Sequence, residues 1–403
     1  MTPLSDTPRH ASYDVVIIGG AIMGSSTAWW LTQLGFDGRV LVVERDPGYE
    51  ACSTAHTNSC IRQQFSEDLN IRLSQFTAEF IGSLSTHIGD DRAPDLKVQN
   101  YGYLYLADTE VFVDVLRRNQ KVQRAAGAET RLLTRGEIAA EFPFYNLDGI
   151  LLGSLNTRDE GYWDGGTVFE WWRRSAVTRG VEYVRNEVVD LTLNASGQRV
   201  ESVTLRDGQS VAAGAVVNAS GPRAARTAAM AGLSLPVEPR KRYSWVFTAE
   251  TPLAQTLPLT IDPSGIHVRQ DGPTTYLAGS KGDPDPAVEP DDFCMDHMLW
   301  QEHVWPLLAT RIPQFEAIRV VTEWAGHYAY NTLDQNAIIG PHSEVGNFFF
   351  LNGFSGHGLQ QSPGMGRGMA ELLIHGGYRT FDLSPLGFDR IIENRPFLEG
   401  NVI

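Results

Sequence analysis

Two glycine-rich turns, each placed where a helix should begin, carry the clearest chemistry in this sequence. The first is Gly19-Gly20-Ala21-Ile22-Met23-Gly24, followed at the end of the next apolar run by Glu44 and Arg45. A helix start leaves N–H groups unpaired and carries partial positive charge, so a pyrophosphate settles there without a basic side chain. Gly19 permits the sharp turn, Gly24 lets the helix pack on the strand, and Glu44 stands where a carboxylate accepts both hydroxyls of a ribose and repels a 2′-phosphate. The pattern predicts a dinucleotide site selective for FAD or NAD over NADP. Ala21 occupies the place of the second motif glycine, and its methyl should push the pyrophosphate slightly outward unless the turn adjusts.

The second turn, Asn352-Gly353-Phe354-Ser355-Gly356-His357-Gly358, follows the apolar run Phe348-Phe349-Phe350-Leu351 and opens a helix over 359–375. A second positive helix end is thereby aimed near the cofactor, and in a flavin enzyme such a helix stabilises negative charge on the reduced ring. A third approach is Ala215-Val216-Val217-Asn218-Ala219-Ser220-Gly221, an apolar strand ending in residues small enough to let backbone lie against a dinucleotide. Cys52, His56 and Cys60 share a four-residue spacing, but three candidates in a segment rich in Ser, Thr and Asn do not make a metal site, and no metal is expected.

The elements that must hold these turns follow from periodicity. Residues 15–18 and 40–43 read as parallel strands, 22–35 as the helix between them, and 68–87 as a helix with Leu69, Leu73, Phe76, Phe80 and Leu84 on one face. Further helices are expected over 110–126, 133–142, 166–179 and 295–308. Strands are expected over 102–106, 181–185, 188–194, 200–205, 243–248, 265–269 and 275–278. The acidic, proline-rich stretch 283–292 interrupts the last group.

With 403 residues and 42% hydrophobic content, the chain has material for two substantial domains. A net charge of −15 and an isoelectric point near 5.1 argue against nucleic-acid binding. Three cysteines form no disulfide framework, which points to a reducing compartment and a cytoplasmic location. The glycine turn and Ser25-Ser26-Thr27 break the longest uncharged run short of a membrane span, and the polar first twelve residues carry no secretory signal.

The three turns together, GGAIMG with Glu44, VVNASGP and NGFSGHGLQQSPGMGRG, resemble the D-amino-acid oxidase superfamily of FAD-dependent oxidoreductases, which contains glycine oxidase, monomeric sarcosine oxidase and dimethylglycine dehydrogenase. Within it, KVQRAAGAETRLLTRGEIAAEFP, DEGYWD and DLSPLGFDR are most similar to the branch of FAD-dependent oxidoreductase domain-containing proteins tied to mitochondrial complex I assembly and their bacterial relatives. The resemblance implies an α/β, two-domain FAD-binding fold, with a discontinuous Rossmann-like FAD domain and a mixed-sheet substrate domain. The FAD domain is expected over 12–90, 156–226 and 323–385, the substrate domain over 91–155 and 227–322, and a tail over 386–403.

The chemistry it implies is oxidation of a C–N bond by hydride transfer from carbon to flavin N5, leaving an imine that water hydrolyses. Besides Gly19, Ala21, Ile22, Met23, Gly24, Glu44 and Arg45, the implied FAD contacts are Ser53, Thr54, His56, Asn58, Ser59, Val188, Ala219, Ser220, Gly221, Gly356, His357, Gly358, Leu359 and Gln360. Arg62 matches the arginine that grips the substrate carboxylate, a role suited to a guanidinium fork. His357 is expected beside the flavin edge, and Gln360 replaces a lysine of the sarcosine oxidases. His327 and Tyr328 belong to a segment beside the flavin. His327 also matches the cysteine that tethers FAD in sarcosine oxidases, which excludes a cysteinyl link there. His56 lies near the histidine that tethers FAD in dimethylglycine dehydrogenase-like enzymes, so a histidyl link stays open beside non-covalent binding. Leu277 matches the oxygen-activating lysine, with Lys281 close by, so a quinone or electron-transfer protein competes with oxygen as acceptor. Tyr243, Trp245, Trp324, Tyr328 and Tyr330 are candidate walls of the pocket.

The implied substrate is an amine or amino acid, N-substituted ones favoured by Arg62. Two other functions compete: an NAD-linked dehydrogenase, which leaves the GFSGHG turn unexplained, and a non-catalytic FAD-binding assembly factor.

Overall fold

The computed structural model describes residues 4–400, which build two eight-stranded sheets and one small antiparallel pair, Cys60–Ile61 with Gly161–Tyr162. In the first, Ser12–Ile18 lies between Val40–Glu44 and Ser210–Asn218, all parallel, with Glu182–Arg185 and Phe348–Asn352 extending the two sides. Its alternation serves two cores. Val15 and Ile17 meet Trp29, Trp30 and Trp172 of the helices Ile22–Gln33 and Gly165–Thr178. Val16 and Ile18 face Leu191 and Val203 of the antiparallel strands Val188–Leu193 and Val200–Leu205. A strand covered on both faces must be apolar at every position, as this one is from Val15 onward. The helix Ile22–Gln33 is likewise buried over most of its circumference, lying against Gly165–Thr178 and Gly358–His375 as well as the sheet.

The second sheet runs from the edge strand Ile318–Asn331 through Val237–Ala249, Thr275–Ser280, His267–Gln270, Leu259–Ile261, Tyr103–Ala107 and Leu152–Asn156 to Arg131–Thr134. It is mixed, because Leu259–Ile261 pairs in parallel with Tyr103–Ala107 while its other pairings are antiparallel. Its core gathers Trp245, Phe247, Tyr276, Trp300 and Phe315. Among the described residues, no helix is long and apolar enough to cross a membrane.

Several boundaries differ from expectation, and the single helix expected over 68–87 is two, Asp68–Gly82 and Leu84–Ile88, parted at Ser83. The start of the last first-sheet segment at 323 falls inside the strand Ile318–Asn331, which pairs with Val237–Ala249 along its whole length. The chain rejoins the first sheet only at Ile338–Pro341, antiparallel to Phe348–Asn352. The helix expected over 295–308 instead runs from His297 to Arg311, with one wide turn at Trp300–Val304 just before Pro306, whose ring nitrogen has no hydrogen to donate. Of the helix expected over 133–142, residues 133 and 134 belong to a strand. Thr134 then caps Arg135–Glu141 in a reciprocal box with Glu137.

The tail expected from 386 packs onto the first sheet: Phe388 stacks on Phe350, and buried Arg390 pairs with Asp334 at 2.7 Å. Residues 401–403 of that tail lie outside the described residues.

Candidate active site

The first glycine turn is built by contacts that leave no space for side chains. Gly19 has φ +98°, and a Cβ there would stand 2.6 Å from the Ala219 carbonyl oxygen. One on Gly24 would stand 1.9 Å from the Gly19 carbonyl oxygen. The turn is thus pressed onto the end of Ser210–Asn218 on one side and onto its own helix on the other. Ala21 precedes the helix in extended conformation and offers no side-chain cap, while Thr54 Oγ1 accepts the Ile22 N–H at 3.3 Å. The helix start therefore keeps donor capacity for an anion. Glu44 is buried; its two oxygens accept the Gly20 and Asp46 N–H groups, each at 2.8 Å. Burial raises its pKa above the ordinary carboxylate value, against the pull of those two donors.

A cavity of about 350 Å³ extends from this turn to the second sheet. It is walled by every residue expected at the cofactor or reaction centre except Gly24, which packs beneath the turn instead. His56 is one of those wall residues, its Nδ1 bonded to the Cys52 carbonyl at 3.1 Å. Of the expected aromatic walls, Tyr243 and Tyr328 line it, whereas Trp245, Trp324 and Tyr330 do not; Trp245 is wholly buried in the second core. Leu277 and Lys281 are also outside the wall.

At the far end stand Arg62, His357 and Gln360. The Arg62 guanidinium, buried to 1% exposure, donates to the Gln64 carbonyl at 2.5 Å and to His357 Nε2 at 2.9 Å, with the Phe65 ring 4.0 Å from its carbon. Guanidinium only donates, so Nε2 accepts and the proton of the neutral imidazole sits on Nδ1. Burial first, then the Arg62 charge, holds the His357 pKa well below its ordinary value. Gln360 Oε1 accepts the Arg62 backbone N–H at 2.9 Å, tying the start of Gly358–His375 to the strand Cys60–Ile61. Tyr328 lies against Gly356, where a Cβ would come within 2.3 Å of its ring, and beneath the Arg242 guanidinium at 4.4 Å. His327 donates Nε2–H to the Asp292 carbonyl at 2.9 Å, and burial lowers its pKa.

Two wall residues, His267 and Ser244, are not among those expected from the sequence. His267 and Ser244 both bond to Asn58, at 2.8 and 3.1 Å, from adjoining regions of the second sheet, and the His267 ring covers Gly279. Burial, with Arg269 and Arg242 nearby, lowers the His267 pKa to about 4, so it is neutral. A polar residue interrupting an apolar strand was the available hint.

Residues 283–294 form a strap at the cavity. Pro290 and Phe293 enter its wall, and Phe293 packs on His327 and His56 with ring centres 4.4 and 5.2 Å apart. Acidic side chains of the strap reach both sheets' territory. Asp291 pairs with Arg45 at 3.0 Å and with Arg223, and Glu289 with Arg226. Asp285 pairs with Arg242 at 2.9 Å and Asp292 with Lys241 at 2.7 Å.

Comparison with known proteins agrees with this architecture. The family described as DAO, FAD dependent oxidoreductase, matches residues 14–372. The chain is 39% identical to FAD-dependent oxidoreductase domain-containing protein 1 of Xenopus laevis, over 100% of this chain and 87% of that protein. It is 27% identical to glycine oxidase of Geobacillus kaustophilus, over 94% and 97%. The solved L-proline dehydrogenase of P. horikoshii superposes with a TM-score of 0.80 at 25% identity, covering 95% of this chain and 98% of that one. The chain belongs to the DAO family of FAD-dependent oxidoreductases: it is an enzyme, its cofactor is FAD rather than NAD, and it has that family's mixed α/β fold.

Proposed function

We propose that this member of the family oxidises the C–N bond of an amino acid, with N-substituted amino acids as the favoured class. The observation that carries the proposal is the Arg62 guanidinium, fixed in the cavity wall by His357, Gln64 and Phe65. A planar donor fork held in a desolvated wall matches the two oxygens of a carboxylate. The names of the relatives, glycine oxidase and L-proline dehydrogenase, also put amino acids in the reaction.

The glycine turn with Met23 and Gly24 would receive the pyrophosphate of FAD, Glu44 the adenosine ribose, and Gly356 to Gln360 the flavin end. The tight contacts at Gly19 and Gly24 and the buried carboxylate with acceptor capacity fit that group. Bound FAD supplies the two-electron acceptor for the oxidation.

The chain's own residues orient the substrate and set its protonation. Arg62 holds the carboxylate, so the Cα–N bond has one direction. Arg62 gives this end of the wall positive charge, Arg242 being paired with Asp285, and His267, His327 and His357 contribute no strong base. A cationic, desolvated wall lowers the pKa of an ammonium, so the amine is bound neutral, with the nitrogen lone pair that C–N oxidation requires. Water then hydrolyses the imine. We assign FAD a non-covalent site with His56 as wall, and a reducing, cytoplasmic setting in keeping with the three free cysteines. The electron acceptor is oxygen, a quinone or an electron-transfer protein.

The test is product analysis: incubation with glycine, N-methylglycine, N,N-dimethylglycine and proline, followed by hydrazone trapping of carbonyl products. A trapped aldehyde or 2-oxo acid formed in step with amine consumption supports the proposal; amine loss without a carbonyl product overturns it.

The strap gives a separate expectation. Each of its ion pairs is partly exposed and worth at most about 1 kcal/mol, but they act together and salt screens them. Raising salt from about 0.05 to about 0.5 M should therefore speed FAD release several-fold, where the Debye length shrinks to a few ångström. The double variant Glu289→Gln, Asp291→Asn should release FAD fast at low salt and lose most of the salt dependence, followed by the fluorescence of freed FAD. A release rate indifferent to both changes would mean that the strap does not retain the cofactor.

A further inference from the structure

We propose that Glu160 is a positioning residue for the substrate clamp, fixing through Gln63 and Gln64 the direction in which the Arg62 guanidinium meets a carboxylate. The inference rests on the carboxylate-binding role proposed for Arg62.

Glu160 does not line the cavity and has 0% exposure. A carboxyl group so buried is costly unless its oxygens are occupied. Oε1 accepts the Gln63 N–H at 2.6 Å and Asn156 Nδ2–H at 3.0 Å, and Oε2 accepts Gln64 Nε2–H at 3.0 Å. Two of the three donors thus come from the residues directly after Arg62. Gln64 is then fixed at every polar atom of its side chain, donating also to the Tyr103 carbonyl at 2.8 Å and accepting from Ser154 Oγ at 2.7 Å. Its backbone carbonyl is the one that receives Arg62 Nη1. The Glu160 carboxyl and the Arg62 guanidinium are therefore joined through one residue, Gln64, whose side chain is bonded to Glu160 and whose backbone carbonyl is bonded to Arg62.

The backbone is bent to deliver this group. Asp159 holds φ +54°, a conformation uncommon for a residue with a side chain, and Gly161 holds φ +144° with no space for a Cβ, which would lie 1.9 Å from the Gln99 carbonyl oxygen. Such backbone on both sides of one buried acid is found where a precise placement is worth its cost. A mere filler of the core needs no such bends, and two of the three donors that satisfy this carboxyl come from the clamp loop itself.

The protonation of Glu160 supplies a readout that packing alone would not move. Burial raises its pKa to about 8, against the three donors and the Arg62 charge. The titratable groups facing it are Arg62 and Tyr105, and burial raises the Tyr105 pKa, so the phenol stays neutral through this range. With Glu160 protonated, the Arg62 charge is fully available to an incoming anion. As pH rises through about 8, the new carboxylate competes for that charge, and anion affinity falls.

The experiment is titration of the FAD-loaded enzyme with 2-furoate, a carboxylate without an amine to oxidise, read from the flavin absorbance between pH 6 and pH 9. The wild type should lose affinity several-fold across pH 8. Glu160→Gln, which keeps the shape without the titration, should remove that step, and Glu160→Ala should weaken binding about tenfold or more at every pH. Should Glu160→Ala fail to fold, the pH profile of Glu160→Gln decides. A Glu160→Gln profile identical to wild type would overturn the proposal. Arg62→Ala separates the two claims: if it leaves 2-furoate affinity unchanged, the clamp itself is wrong. If it abolishes binding while the Glu160 variants match wild type, only the positioning role fails.

Discussion

Gly24→Ala should yield a colourless, destabilised protein. The added methyl would be placed 1.9 Å from the Gly19 carbonyl oxygen, less than any non-bonded contact allows, and the nearest atoms are backbone and the Ile17 side chain rather than the far end of a flexible side chain. Either the helix Ile22–Gln33 lifts from the strand Ser12–Ile18 or the turn opens. The helix is wedged between the sheet and two other helices, with Trp29 wholly buried, so it has no free direction to move. Overpacking of this kind costs about 1–3 kcal/mol in a deformable core and more where backbone opposes it. The turn that opens is the one proposed to cradle the pyrophosphate, so the same methyl removes the cofactor. The ratio of 450 nm to 280 nm absorbance after purification and a thermal melt report both effects; a yellow variant with an unaltered melting temperature would contradict the packing account.

Arg62→Ala should raise the concentration of an amino-acid substrate needed for half-maximal turnover far more than it lowers the limiting rate. Removing one partner of a buried, hydrogen-bonded charge pair costs about 2–5 kcal/mol, a 30-fold to several-thousand-fold change. Arg62→Lys should recover little, because a lysine ammonium cannot reproduce the two-pronged donor that His357 and Gln64 hold in place. Amines without a carboxylate should be oxidised as poorly by the wild type as by the variant. Steady-state kinetics on matched acid and ester substrates measure this, and equal KM values for wild type and Arg62→Ala would remove the clamp.

Much of this site could be read from the sequence because its parts are local. A glycine turn between a strand and a helix, with an acid at the end of the following strand, states its own geometry within about thirty residues. The GFSGHG turn does the same. What escaped was set by pairing between distant strands. Ile318–Asn331 has the same strand-like character whichever sheet it joins, and only its register with Val237–Ala249 places His327 and Tyr328 on the second sheet. The meeting of Asn58 with His267 across 209 positions depends on that sheet closing over the loop after Glu44. Trp245 shows the converse: an aromatic on a strand beside the site, turned by the period of two into the core. Glu160 was visible only as a letter in DEGYWD, since nothing local says that its carboxyl is buried beneath Arg62's neighbours.

The central claim, that this flavoenzyme takes electrons from the C–N bond of an amino acid, is tested most directly by anaerobic spectroscopy. Purified enzyme is mixed without oxygen with primary, secondary and tertiary amino acids, and the flavin absorbance near 450 nm is followed before air is admitted. Bleaching by at least one N-substituted or free amino acid, but not by its methyl ester, is the predicted result. The rate of colour return in air then distinguishes oxygen from another acceptor. FAD that stays bound and fully oxidised against every amino acid in the series would contradict the account.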